Sequence, residues 1–414
     1  MRFVLRLLLV CFLMFVSLPT GAKAESAEAN ARVATNAINA FAFDVYAVLA
    51  AESGNENIFF SPYSISSALA MTYAGASGET AEEMAKTLRF TGFEDEIHAA
   101  MKSLQDRFNA IPSETGILDV ANRLWLDKED ELTPGYEALM REYYGAGVET
   151  VDFYNSYNQA RVEINDWVAQ KTRDKIKDIL QEGSVSSDTT LILVNAIYFN
   201  SAWLEPFDKA LTWKEPFRTG KDDQYDVSMM RRTDYFLYGD NSDAQWVKIP
   251  YKIPGFSMLL ILPRENEQFT QMKELEKKLT HDALISWVSN MRRSRVSLHM
   301  PKFKDERRYS LGETFKKLGM NLAFTEDADF SGMVVDPLKD DFAIHMNLVV
   351  HKAFIELDEE RTEAAAATAA SLIRFRTNPD EPPAIEFKAD RPFIYCLMDD
   401  ETGTILFMGR MERP

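Results

Sequence analysis

The chain has 414 residues, 46% of them hydrophobic and 27% charged, and its 64 acidic against 46 basic side chains give a formal net charge of −18 at pH 7. That acidity argues against nucleic acid and heparin as ligands, because phosphate and sulfate binding need clustered cations. It favours instead a chain kept soluble and monomeric by self-repulsion.

The first element in chain order is a targeting signal. Arg2 and Arg6 precede an apolar block at residues 7–18, and Gly21-Ala22-Lys23-Ala24 puts small residues at both positions of an A-x-A cleavage site. Residues 1–24 therefore read as a secretory signal peptide. The block is too short to span a bilayer, and no second apolar stretch of about 20 residues is expected after it, so no membrane partner is expected. Cutting after Ala24 leaves 390 residues and, with Arg2, Arg6 and Lys23 gone, a net charge of −21. The mature protein, residues 25–414, is expected to be secreted, or periplasmic in a bacterial source. It retains only Cys396, inside FIYCLM, so no internal disulfide is expected and the thiol reads as a buried small hydrophobe.

Residues 30–50 place apolar side chains at helical spacing, and Ser61-Pro62 followed by YSISSALAMTYAGA predicts a second helix with a serine-rich start. Residues 161–181 again predict a helix. Residues 190–199, 256–263, 296–301 and 348–357 are β-branched or near-continuous apolar runs of strand length. FIYCLMDD and TILFMGR around Glu401-Thr402-Gly403 predict a hairpin with glycine in the turn. Helices and strands mix without the alternation of a parallel doubly wound sheet, and no Gly/Ser- or Pro-rich linker divides them, which points to one large α+β domain.

Enzyme chemistry has no foothold in the motifs. The histidines at 98, 281, 299, 345 and 351 have no metal-binding spacing, and Gly75-Ala76-Ser77-Gly78 is one residue short of a nucleophile elbow. Neither a phosphate-binding loop, a dinucleotide fingerprint nor a C-x-x-C pair is present. No catalytic role, metal or cofactor is expected; an unrecognised hydrolase is the rival class.

Several segments, in order and spanning nearly the whole mature chain, resemble the serpins, protease inhibitors whose reactive loop inserts into their own β-sheet. They are NIFFSPYSISSALAMTYAGASGET (57–80), INDWVAQKT (164–172), LVNAIYFNSAW (193–203), SLHMPKFK (297–304), LGMNLAF with ADFSGM (318–333), VVHKAFIELDEERTEAAAAT (349–368), and FKADRPFIYCLM with GTILFMGRM (387–411). The resemblance implies a serpin fold: mixed β-sheets, about eight or nine helices and an exposed reactive loop at about 359–386. It implies a suicide inhibitor of a chymotrypsin-like or trypsin-like serine protease, with a cysteine protease as an alternative target. A non-inhibitory binding or carrier protein on the same fold is the second reading.

In that family the alanine-rich segment is the hinge that becomes a new strand after cleavage, and this explains its composition. A strand buries alternate side chains. If Thr362 points inward, so do Ala364, Ala366 and Thr368, all small enough for a packed core, while Glu363 points to solvent; Ala365 and Ala367 complete the hinge. Where inhibitory members usually carry glycine before the first inserted residue, this chain has Arg361, placed by the resemblance at the turn. The family's hinge spacing puts the reactive bond between Phe375 and Arg376, with Arg374 as the alternative acyl residue. The resemblance also pairs Glu359 with Lys302 above the hinge, sets Trp203 where the sheet opens, and gathers Ser61, Ser64, Asn195 and His351 in a polar cluster under its middle. Taken singly, Ser64 equally fits a helix cap, His351 a satisfied core histidine and Trp203 plain packing.

Overall fold

The computed structural model describes residues 20–145, 147–266, 271–336, 344–362 and 382–414. Its helices, in chain order, are α1 (Thr20–Ser53), α2 (Pro62–Tyr73), α3 (Gly78–Thr87), α4 (Ile97–Asn109) and α5 (Pro134–Tyr144). They continue with α6 (Phe153–Lys171), α7 (Gln271–Glu276), α8 (His281–Ser289) and α9 (Gly312–Lys317). The strands are β1 (Ile58–Phe60), β2 (Gly116–Asp127), β3 (Val148–Val151), β4 (Leu191–Ala202) and β5 (Trp213–Arg218). Next come β6 (Gln224–Asp240), β7 (Ala244–Pro250), β8 (Phe256–Pro263), β9 (Arg292–Pro301) and β10 (Phe303–Ser310). The last are β11 (Met346–Leu357), β12 (Arg361–Thr362), β13 (Ile385–Lys388), β14 (Phe393–Asp399) and β15 (Ile405–Met411).

Two sheets organise the molecule. Nine strands form one, in the order β1-β15-β14-β8-β7-β6-β9-β13 with β5 on β6; the other six run β10-β11-β12-β4-β2-β3. The fold is α+β, as the sequence predicts. Strands covered on both faces give themselves away as unbroken apolar runs: every residue of β8, β14 and β15 is buried. Between β14 and β15 the turn passes through Gly403 at φ 80°, a conformation glycine adopts without penalty. Cys396 lies wholly inside β14, and burial pushes its thiol up to about 12, far from a reactive thiolate.

Two expectations need correction. The helix expected over 161–181 starts at Phe153 and stops at Lys171. Beyond it Arg173, Asp174 and Asp178 take positive φ, while Ile176, Ile179 and Leu180 are buried. Their helical spacing serves a strap that crosses the six-stranded sheet. Likewise, α1 does contain a second long apolar stretch: within Asn30–Ser53 an 18-residue window has a mean hydropathy of 1.4, enough by composition for a membrane span. Most of that stretch is buried inside the fold, as a core helix requires.

Candidate functional site

The centre of the six-stranded sheet is a parallel seam. β4 and β11 pair directly, from Met346 opposite Leu191 to Phe354 opposite Tyr198. At one end β12 wedges between them, antiparallel to both: Arg361 pairs with Ala202, and Thr362 with Ser201 on one side and Leu357 on the other. Ser201 and Leu357 are both buried. The chain reverses at residues 358–360, so Arg361 is the first strand residue rather than part of the turn. Extended backbone suits arginine as well as any residue, and glycine's freedom is not needed there.

The reversal is clamped. Trp203 donates from its indole Nε1 to Asp358 O (2.9 Å) and from its backbone to Glu360 O (3.0 Å), while Phe207 N donates to Glu359 O (2.8 Å). The Trp203 indole stacks on Tyr251, with ring centres 4.6 Å apart. Lys302 Nζ meets Glu359 Oε2 at 2.5 Å, and Thr212 donates to Glu359 Oε1 at 2.8 Å. Burial pushes the Glu359 carboxyl up, but the bonds from Lys302 and Thr212 together outweigh it and hold the group below its ordinary value. The structure thus brings Glu359, Lys302 and Trp203 together at the mouth of the seam.

Halfway down lies the polar cluster, on the face that packs against α2. Ser61 caps α2, its hydroxyl accepting from Ser64 N (3.1 Å) and donating to Leu406 O (2.5 Å), so Ser61 and not Ser64 is the cap. Ser61 N donates to His351 Nε2 at 3.0 Å. That fixes the tautomer: Nε2 accepts, and Nδ1 carries the proton to Asn195 Oδ1. Asn195 Nδ2 donates to Ser64 Oγ (2.5 Å) and to Asn122 Oδ1, and Asn122 Nδ2 returns a bond to Ser64 O (3.1 Å). His351 and Asn195 are direct partners across the seam, so separating β4 from β11 breaks their bond.

Asn122 belongs to this cluster, and sequence reasoning missed it along with the whole of β2. A polar residue in the strand-like alternation of LDVANRLW was the available signal. Also unforeseen are the clamps on the strap: Lys352 Nζ donates to Lys177 O (2.7 Å) and Arg308 Nε to Ile179 O (2.6 Å), tying it to β11 and β10.

Burial pushes the His351 imidazole down to about 3, with the Asn195 bond opposing. A histidine depressed on folding contributes stability that is complete above its unfolded value near 6.5 and is lost as pH falls from there towards 3. Between pH 7 and 5 the loss is on the order of 2 kcal/mol. Denaturant midpoints should therefore fall more over that interval in the wild type than in His351→Gln. Equal pH dependence in the two proteins would show that His351 is not held neutral.

Glu363, Ala364, Ala365, Ala366, Ala367 and Thr368 of the hinge, and Arg374, Phe375 and Arg376 at the expected reactive bond, lie outside the described residues.

A main sheet with a closed parallel seam, a two-residue antiparallel wedge at its mouth and a polar cluster beneath defines the class of protein. Comparison with known proteins names the class. The sequence matches the family described as Serpin (serine protease inhibitor) over residues 36–414. It is 36% identical over 384 residues to the leukocyte elastase inhibitor of Xenopus laevis, covering 92% of this chain and 99% of that protein. Among solved structures, uncleaved ovalbumin superposes with a TM-score of 0.83 at 28% identity, over 92% of this chain and 99% of that one. Human thyroxine-binding globulin gives 0.82 at 28%, over 93% and 99%. The chain belongs to the serpin family.

Proposed function

We propose that this chain is a secreted suicide inhibitor of serine proteases. The target's serine attacks the carbonyl of Phe375, the peptide beginning at Arg376 leaves, and an acyl-enzyme forms through the protease's own triad. The freed segment from Thr362 to Phe375 then enters the seam as a full strand and drags the protease along before water completes the hydrolysis. The inhibitor supplies no catalytic group and is consumed in one turnover. What carries the reading is β12: a strand already antiparallel to both β4 and β11 needs only to lengthen. The clamp of Glu359 by Lys302 and the parting bond between His351 and Asn195 fit the same movement. Secretion rests on the apolar block at residues 7–18 and the small residues before position 25.

The phenylalanine implies a protease with an aromatic pocket. Incubation with a panel of serine proteases, followed by denaturing gels, should reveal a complex that survives denaturant. Intact mass of the released peptide should correspond to residues 376–414; a peptide beginning at Phe375 or Thr377 would move the bond. The second reading, a binding or carrier protein, is favoured by the likeness to human thyroxine-binding globulin. It takes over if wild-type protein forms no denaturant-resistant complex with any protease.

A further inference from the structure

Two turns at one end of the nine-stranded sheet enclose, with α1 and α4, a cleft that no step of the proposed function uses. It holds about 720 Å³, within the range of small-molecule sites. The walls are mostly apolar. Ile111 and Pro112 follow the end of α4, Ile253 and Pro254 come from the turn between β7 and β8, and Phe256 opens β8. At the polar end stand Arg107 of α4 and Glu401 of the turn between β14 and β15.

The charges at that end do not cancel. Asp399, whose side chain is wholly buried, takes two bonds from the Arg107 guanidinium, from Nε at 2.6 Å and from Nη2 at 2.7 Å. Arg107 Nη1 then donates to Glu401 Oε2 at 2.6 Å. One cation thus serves two carboxylates, and a single negative charge is left over. Glu401 carries it to the cleft, since its side chain is 63% exposed and its Oε1 accepts nothing among the described residues. That oxygen lies against Gly255, where a Cβ would come within 3.1 Å of it. An acceptor with surplus negative charge, set beside apolar walls, suits an ammonium on a hydrophobic body and repels the matching carboxylate.

We propose that this cleft binds small hydrophobic amines, with the ammonium on Glu401 and the apolar body against Ile253, Pro254 and Phe256. The inference does not depend on the inhibitory reading, and its test needs no protease. Equilibrium dialysis of the full-length protein at pH 7 in dilute buffer compares phenylbutylamine, phenylbutanol and phenylbutyrate, one apolar body with three head groups. The amine should bind saturably at one site per chain. The alcohol should bind about fivefold more weakly, the worth of an exposed ion pair, and the acid more weakly still. In 1 M NaCl, where the screening length is about 3 Å, amine and alcohol should differ by less than about twofold.

Two variants separate charge from shape. Glu401→Gln should bring the amine down to the level of the alcohol and leave the alcohol unchanged. Ala110→Trp, on the cleft wall at the end of α4, should fill the space and weaken amine and alcohol alike about tenfold. Both positions are exposed, so thermal transitions should stay at the wild-type value. Equal binding of amine and alcohol by the wild type, or tighter binding of the acid, overturns the ammonium assignment. Undiminished binding by the Ala110 variant places the ligand elsewhere and overturns the site, as does a wild type that binds none of the three compounds saturably.

Discussion

Cutting the chain anywhere between residues 369 and 376 should raise its thermal transition sharply. The intact sheet has one parallel ladder at its centre, where β4 meets β11. Inserting residues 362–375 replaces it with two antiparallel ladders, a net gain of one. Thirteen residue steps span about 40 Å, far more than an ordinary strand, and on the order of ten added hydrogen bonds contribute about 1 kcal/mol each. That sum rivals the whole stability of a typical domain. At about 1 to 2 °C per kcal/mol for a chain of this size, the transition should move by roughly 10 to 20 °C. The intact protein is then held by a barrier, not by being the most stable arrangement. Calorimetry before and after limited proteolysis is the measurement. A cleaved form that melts at or below the intact protein would refute insertion.

Thr362→Arg should convert the inhibitor into a substrate. Position 362 is where the new strand begins, opposite the buried Ser201 and Leu357. An arginine there can swing out to solvent while the wedge is only two residues long, but the completed strand must seat it against that face, which costs several kcal/mol for an unpaired cation even after relaxation, and each 1.4 kcal/mol added to a barrier slows a step tenfold. Insertion races hydrolysis of the acyl-enzyme, so a delay of that size sends most encounters to product. The variant should be cut at the same bond as wild type yet release active protease, with the covalent band gone from denaturing gels. Glu363→Arg, one residue on and expected to face solvent, should change far less. Full inhibition by the Thr362 variant would end the inhibitory reading.

How legible was this in the sequence? Strands buried on both faces were plain: β8 occupies the 256–263 run residue for residue, and β4 and β11 differ from their runs by only a few residues at the ends. Those with one wet face were not. β6 carries arginines, aspartates and tyrosines among its buried Met229, Met230 and Phe236, and nothing in its composition marks a strand 17 residues long. The strap after α6 misled for a physical reason: apolar residues three and four apart suit a helix, yet here they fasten an irregular chain to a sheet. The site itself came from resemblance. No local pattern ties Lys302 to Glu359 or Ser61 to His351, since each pair is joined by tertiary structure alone. The position of Arg361 was misjudged by one structural unit because the wedge begins a residue earlier than a hinge turn implies.

The placement of β15 has a consequence for how the molecule is made. This strand lies between β1 and β14, with Ile58 paired to Arg410. The buried Arg410 guanidinium donates to Gly54 O and Glu56 O, both at 2.8 Å. Residues near position 58 and near 410 leave the ribosome about 350 positions apart, roughly 20 to 70 s at 5–20 residues per second. During that time β1 has no neighbour to pair with, and the part of α2 that packs on β15 lacks its cover. The nascent chain must therefore be kept from premature collapse or self-association until its far end is synthesised, and the most nonlocal ladder in the molecule is among the last to form.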